Sequence, residues 1–482
     1  MRNNTNETAL PTWLIVAIML SPLIVMWLLP FSDTTEPRYA EIARYMAQTN
    51  DWITPWFKPG VPFWGKPPLS FWAQALSIKF FGASEFAARL PAWLVTLVTL
   101  KVIYEYARTV FNVRVAQYAI VIYMTTVLGF MAAGAVMTDA FLTLGTVLCM
   151  TGWVMIGRSK TLFWRYAFFL GLAIGMLAKG PLTVVLTGGS LVLWMLFYPE
   201  ARQTWRKLPW VSGVILAAAI SLPWYIAAEL KTPGFLNYFI IGEHFYRFID
   251  PGWQGDHYGY AHKEPIGSIW FFGLQSTFPW SLMALYLLGR LVGKRPARQT
   301  ARAALRNPDV GYVVAWMLFL PLFFTVAGNI LWTYVLPCLG AFCIILALAI
   351  DSLDFKRTVL RVYSLVTPVV ILILLTVVMF NPNMIKTEKG LIQYAKQHGY
   401  PDIPLIYVEL PPFSARFYSA EGVQTVEPDH LKEKLAQVDE AWIAITNDWA
   451  EKLRPELGPQ AQEKYKNMRY VLFHYKRSPA TQ

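Results

Sequence analysis

A few polar side chains stand at the margins of long apolar runs, and their types suggest chemistry: Glu36, Lys66, Asp139, Lys179, His244 and Tyr334. An ionisable group in such a place is costly unless it is wet or partnered. Glu36 opens the stretch EPRYAEIARYM, whose spacing predicts a helix with Pro37 in its first turn and Ile42, Tyr45 and Met46 on one face. Asp33 precedes it, and Arg38, Tyr39 and Arg44 follow. A solvated interfacial helix anchored by Trp52, Trp56 and Trp64 would explain the tryptophans. It would not explain an acid–base cluster beside the rigid Lys66-Pro67-Pro68 turn. A carboxylate there could serve as general base, and a lysine held by two prolines could bind a phosphate as a point charge.

The other positions each carry two readings. Asp139 could cap the helix that begins AFLTLG, act as a second acid, or do both. Lys179, in LAKGPL, could snorkel at the Gly180-Pro181 turn or contact a phosphate. The loop 229–267 holds Glu243, His244, Arg247, Asp256, His257 and His262. It is either a polar loop or a source of His and Glu metal ligands, although no HExxH spacing occurs. Tyr334, near Asn329, is either an interfacial tyrosine or part of a site.

The elements that must position these groups are membrane spans. Of 482 residues 55% are apolar and 15% charged, against about 45–50% and 25% in soluble domains. The mean hydropathy is +0.38. A soluble enzyme, a coiled coil and a disordered chain are excluded. Cys149, Cys338 and Cys343 lie in apolar runs, so neither a disulfide framework nor a zinc motif is expected. Spans are predicted near 12–30, 87–107, 115–135, 139–157, 164–178, 181–198, 209–228, 268–289, 310–328, 331–350 and 361–380. The loop 290–308 carries Arg290, Lys294, Arg295, Arg298, Arg302 and Arg306 with no acid, which sets it on the cytoplasmic side. The net charge of +12 is therefore an orientation signal and does not point to nucleic acid.

With that orientation the N-terminus is cytoplasmic only if 68–82 stays at the outer interface as a juxtamembrane helix. Were 68–82 a true span, another run would have to be re-entrant. The fold class expected is an all-α polytopic membrane protein of about 11–13 spans with outer juxtamembrane helices and a small C-terminal α/β periplasmic domain. Its parts are a membrane module over 1–380, with outer loops 31–86 and 229–267, and a domain over 381–482. That domain is read from the strand-like runs PLIYVEL, AWIAITN and RYVLFHYK and the helical HLKEKLAQ. All six groups named at the outset then share the outer, extracytoplasmic face of the membrane.

At these residues the sequence resembles a family. TTEPRYAEIARYM, DWITPWF, GKPPLSFW, FGASEFAARLPA, MTDA, AKGPL, EHFYRF, TYVLP and LPPFSARFYS occur in the order seen in C-type glycosyltransferases that use polyprenyl-phosphate sugars. Within them the sequence is most similar to the lipid A 4-amino-4-deoxy-L-arabinose transferases and their protein-O-mannosyltransferase-like relatives. The resemblance implies a GT-C-like fold, and a divalent metal is the one cofactor it raises. Its catalytic acids would fall on Glu36 and Asp139, with Asp33 nearby. Donor-phosphate contacts would fall on Lys66, Arg38, Arg247 and Lys179, and the site lining on Tyr39, Tyr334 and Glu243. Thr35 stands where the aminoarabinose members have Asp, and Gly65 where they have a metal-binding Glu. The second departure weakens the implied divalent metal on His244.

The implied reaction moves a sugar from undecaprenyl phosphate to a periplasm-facing acceptor, with inversion at the anomeric carbon. Lipid A phosphate leads among acceptors; protein, polysaccharide or another glycolipid is the alternative. A transporter would place its charges at mid-membrane and show inverted repeats, and neither feature is seen here. A non-catalytic receptor would leave the first-loop cluster unexplained.

Overall fold

The computed structural model describes residues 10–477, apart from Glu200, Ala201, Pro251, Tyr260, Ala261, Asp354, Lys356 and Glu421. Each predicted apolar run falls on a helix or a broken helix pair. Five helices are long and apolar enough to cross a membrane: Glu85–Val110, Leu162–Lys179, Trp210–Lys231, Trp332–Ser352 and Thr358–Phe380. The count is up to seven if each bent pair is one span, namely Val113–Thr125 with Val127–Gly134 (71°) and Arg295–Leu305 with Pro308–Phe324 (98°). Thr12–Leu28, Asp139–Met155, Leu182–Phe197 and Trp280–Gly293 are shorter apolar helices.

Two expected spans are interrupted for local reasons. The 115–135 run breaks at Thr126, whose hydroxyl accepts the Gly129 N–H at 3.0 Å and starts a second helix. The 268–289 run splits into Ser268–Ser276 and Trp280–Gly293 around Pro279, which supplies no N–H to continue the ladder. Asp139–Met155 is the central helix, buried along nearly its whole length. At Gly145 a Cβ would come within 2.7 Å of the Gly175 backbone, so small residues let helix 162–179 pack in close contact.

The outer elements are built around helix Thr35–Thr49, which buries Tyr39, Ile42, Ala43 and Met46 and leaves Tyr45 half-buried. Leu69–Phe81 packs on it through Phe71, Gln74, Ala75 and Ile78 while Leu76, Phe80 and Phe81 stay exposed. A helix of that length extends only about 20 Å, short of the roughly 30 Å hydrocarbon layer.

The C-terminal residues form a five-stranded sheet in the order 423–426, 405–408, 440–446, 470–476, 461–466. The 405–408 strand pairs in parallel with both neighbours, and the remaining pairs are antiparallel. This unit is tied to the first loop by ion pairs. Asp33 accepts from Arg469 at 2.6 Å and from the Ser414 N–H at 2.9 Å, and Lys389 pairs with Glu85.

Glu388 lies behind this junction, fully buried, accepting from Arg469 and Asn467 at 2.8 Å each. Burial pushes its carboxyl up to about 7, and the Arg469 charge offsets only part of that. A carboxyl whose folded pKa lies above its unfolded value of 4.5 contributes stability that is full below that value. The contribution is lost as pH rises through about 7. Thermal unfolding in detergent is therefore expected to give a higher Tm at pH 5 than at pH 8, by at most about 3 kcal/mol of stability. Glu388→Gln is expected to flatten that dependence; an unchanged pH profile in the variant would contradict the assignment.

Candidate active site

Lys179 is the last residue of helix Leu162–Lys179, where the C-terminal dipole favours a cation. Gly180 follows with φ +71°, and a Cβ there would meet the Phe239 ring at 2.7 Å, so the chain turns only because the residue is glycine. The Lys179 side chain does not snorkel. It is buried, with Nζ 2.7 Å from Asp139 Oδ1 and 4.8 Å from the Tyr334 ring centre. Asp139 is the first residue of its helix and does not cap it; the capping position belongs to Thr138. The capping reading is thereby corrected: the Asp139 carboxylate is turned to Lys179.

Glu243 and His244 belong to a π-helical segment, Asn237–Tyr246, a widened turn of the kind common at functional sites. The buried Glu243 carboxylate bridges Lys66 (3.0 Å) and Arg247 (3.1 Å) and accepts from the Tyr238 hydroxyl at 3.3 Å. Burial alone would raise its pKa, but the charges of Lys66 and Arg247 outweigh that and hold it at about 2. Arg247 also faces Asp256 at 3.7 Å. Lys66, Lys179, Glu243, His244, Arg247 and Tyr334 line one cleft. The rest of its lining is largely apolar, with Phe239, Phe248, Phe323, Phe324, Leu182 and Val185, of which Val185 is exposed.

His244 does not present a metal ligand. Its Nδ1 lies 2.7 Å from the Phe239 carbonyl and its Nε2 2.9 Å from the Lys179 carbonyl, so both ring nitrogens are already faced by backbone oxygens. Burial lowers its pKa against the pull of those two carbonyls. Among the described residues no group of three His, Cys, Asp or Glu could hold a metal ion. The donor set does not fit a divalent cation, and no step is assigned to one.

Five expected residues lie outside the cleft lining: Asp139, behind Lys179, and Tyr39, buried against Phe63 and Phe71, together with Arg38, Glu36 and Asp33. Arg38 donates to the Tyr258 carbonyl at 2.6 Å and is caged by the rings of Tyr39, Phe63 and Phe413, at 5.3 to 6.0 Å. Glu36 is committed to Arg89 through two bonds of 2.7 and 2.8 Å and accepts the Val136 N–H at 3.0 Å. It thereby fixes the loop that leads into Asp139. Asp33 is turned away to Arg469 and Ser414. Although only three residues apart across a helix start, Asp33 and Glu36 thus turn to different partners.

Arg89 is the main residue that sequence reading passed over. It is 1% exposed and also donates to the Leu29 and Met26 carbonyls. Its signal was an arginine within a predicted span, which demands a partner. Tyr238 carried no signal beyond its place in the loop.

Relatives of this chain share its architecture. ArnT from Cupriavidus metallidurans, solved bound to undecaprenyl phosphate, matches with a TM-score of 0.73 over 96% of this chain and 97% of that one, at 19% identity. Fold and composition thus define a polytopic, mostly helical membrane protein with a GT-C-like fold. Residues 8–239 match the family described as dolichyl-phosphate-mannose-protein mannosyltransferase. The undecaprenyl phosphate-alpha-4-amino-4-deoxy-L-arabinose arabinosyl transferase of Aeromonas hydrophila is 29% identical over 369 residues, 73% of this chain and 63% of that protein. Its counterpart in Aeromonas salmonicida is 30% identical over 343 residues, 69% of this chain and 59% of that protein. The chain spans about 60% of the length of the curated relatives it matches. Over most of its own length the chain is similar to these transferases, and its fold is that of the Cupriavidus metallidurans structure.

Proposed function

We propose that this protein is an inner-membrane glycosyltransferase that moves a sugar from undecaprenyl phosphate to a lipid A phosphate on the periplasmic side. The N-terminus would be cytoplasmic, and the C-terminal residues periplasmic. The observation that supports the reading is the cleft itself, where Lys66, Lys179 and Arg247 share the lining with Phe239, Phe248, Phe323, Phe324, Leu182 and the exposed Val185. A polyprenyl chain would enter along those apolar side chains and leave its phosphate against the three cations.

In the reaction the anomeric C–O bond breaks and its electron pair stays on the lipid phosphate, whose new charge Lys66 and Arg247 face. Such stabilisation in a water-poor site is commonly the largest catalytic term. An acceptor oxygen forms the new bond to the anomeric carbon. Among the described residues the carboxylates at these positions are already engaged: Glu243 by Lys66 and Arg247, Asp256 by Arg247, Asp139 by Lys179, and Glu36 by Arg89. That supports an acceptor that is anionic before it arrives, since a phosphate oxygen needs no base where a hydroxyl would. Asp139 then holds Lys179 in place, and Glu36 positions the loop before it.

Mass spectrometry of lipid A from the native host, with and without the gene, tests this. Loss of a sugar-phosphate modification on deletion is expected, with recovery on complementation. Unchanged lipid A would contradict the acceptor.

A further inference from the structure

We propose that helix Arg295–Leu305 is a binding site for the headgroups of anionic phospholipids, lying along the membrane surface. At 100° per residue, Arg295, Arg298, Arg302 and the following Arg306 fall within an arc of about 80° on one face. All four are exposed, while Ala297 and Ala301, on another face, are partly buried. No acid occurs from 290 to 308, and among the described residues no ion pair or side-chain hydrogen bond engages these four guanidinium groups. Like charges three and four residues apart destabilise a helix on its own, so the face calls for an external anion.

Its direction is fixed as well. The helix meets Pro308–Phe324 at 98°, and it follows directly on the apolar helix Trp280–Gly293. A helix at a right angle to an adjoining span lies along the membrane surface. The corner is held by side chains. Asn307 accepts the Asp309 N–H at 2.9 Å, Trp194 donates to the Pro308 carbonyl at 3.0 Å, and Arg158 pairs with Asp309 at 2.6 Å. The Tyr198 hydroxyl donates to the Leu305 carbonyl. The arginine face is therefore presented in a set orientation at the level of the headgroups. Guanidinium forks match phosphate oxygens two at a time, and phospholipid phosphates are the anions nearest to a surface so placed.

Native mass spectrometry of the purified full chain titrated with phosphatidylglycerol and phosphatidylcholine reads this out. The wild type is expected to retain phosphatidylglycerol in preference to phosphatidylcholine. R295Q/R298Q/R302Q is expected to lose affinity for the anionic lipid by about a hundredfold, from three basic residues near a charged surface. R202Q/R206Q/K207Q, which removes the same charge elsewhere, is expected to keep it. Equal retention of the two lipids by the wild type, equal loss in both variants, or tighter binding of a short RNA than of the lipid would overturn the proposal.

Discussion

Replacing Lys66 by methionine is expected to lower sugar transfer by roughly 10²–10³-fold while leaving the Tm close to that of the wild type. The two halves of this expectation rest on the same contacts. Lys66 and Arg247 share the Glu243 carboxylate, so removing Lys66 leaves that buried charge bonded to Arg247 at 3.1 and 3.3 Å and to Tyr238 at 3.3 Å. No buried charge is stranded, and methionine keeps most of the aliphatic stem in place. What is lost is a cation facing the leaving phosphate, a term that grows as the C–O bond breaks. The fall should therefore appear mainly in kcat. A variant that keeps more than about a tenth of wild-type turnover would contradict the role.

Arg89→Met is expected to act in the opposite manner, by destabilising the protein. Its guanidinium is buried with Glu36 and also satisfies the Leu29 and Met26 carbonyls. Removing one partner of such a pair costs about 3–5 kcal/mol, because the remaining charge is left uncompensated. Folded yield and Tm should drop, and the double variant E36Q/R89M should recover part of the loss. Glu36→Gln alone separates two roles for Glu36. If it positions the Val136 loop, transfer and Tm fall together. If transfer vanishes at unchanged Tm, Glu36 is a base and the positioning role fails.

These two expectations differ in how far they could be read from sequence. The residue types at Lys66 and Lys179 pointed to phosphate contact, the resemblance added Glu243, Arg247 and Tyr334, and the structure brings these five chain positions into one cleft. Apolar periodicity and charge bias carry that far, because both are properties of single segments. Pairings are not. Nothing local in GKPP announces Glu243 as the partner of Lys66, 177 residues away, or shows that Asp33 turns to Arg469. The same holds in the C-terminal sheet. The strands 405–408, 440–446 and 470–476 are apolar and were legible. The edge strands VQTV and AQEKYK are polar and mostly exposed, as edges that resist further pairing must be, and so carry no strand signal. Span boundaries were clear except where Thr126 and Pro279 interrupt a run through their own backbone chemistry.

The central claim is that the cations of this cleft receive the phosphate leaving an undecaprenyl-linked sugar. Its most direct test is single-turnover release of undecaprenyl phosphate from a labelled donor by the purified chain in proteoliposomes containing lipid A. Wild type and the variants Lys66→Met and Arg247→Met would be compared at matched folded protein. The account predicts acceptor-dependent release by the wild type and a loss of at least about 10²-fold in each variant. Release at wild-type rate in both variants, or none from the wild type with this acceptor present, would contradict it.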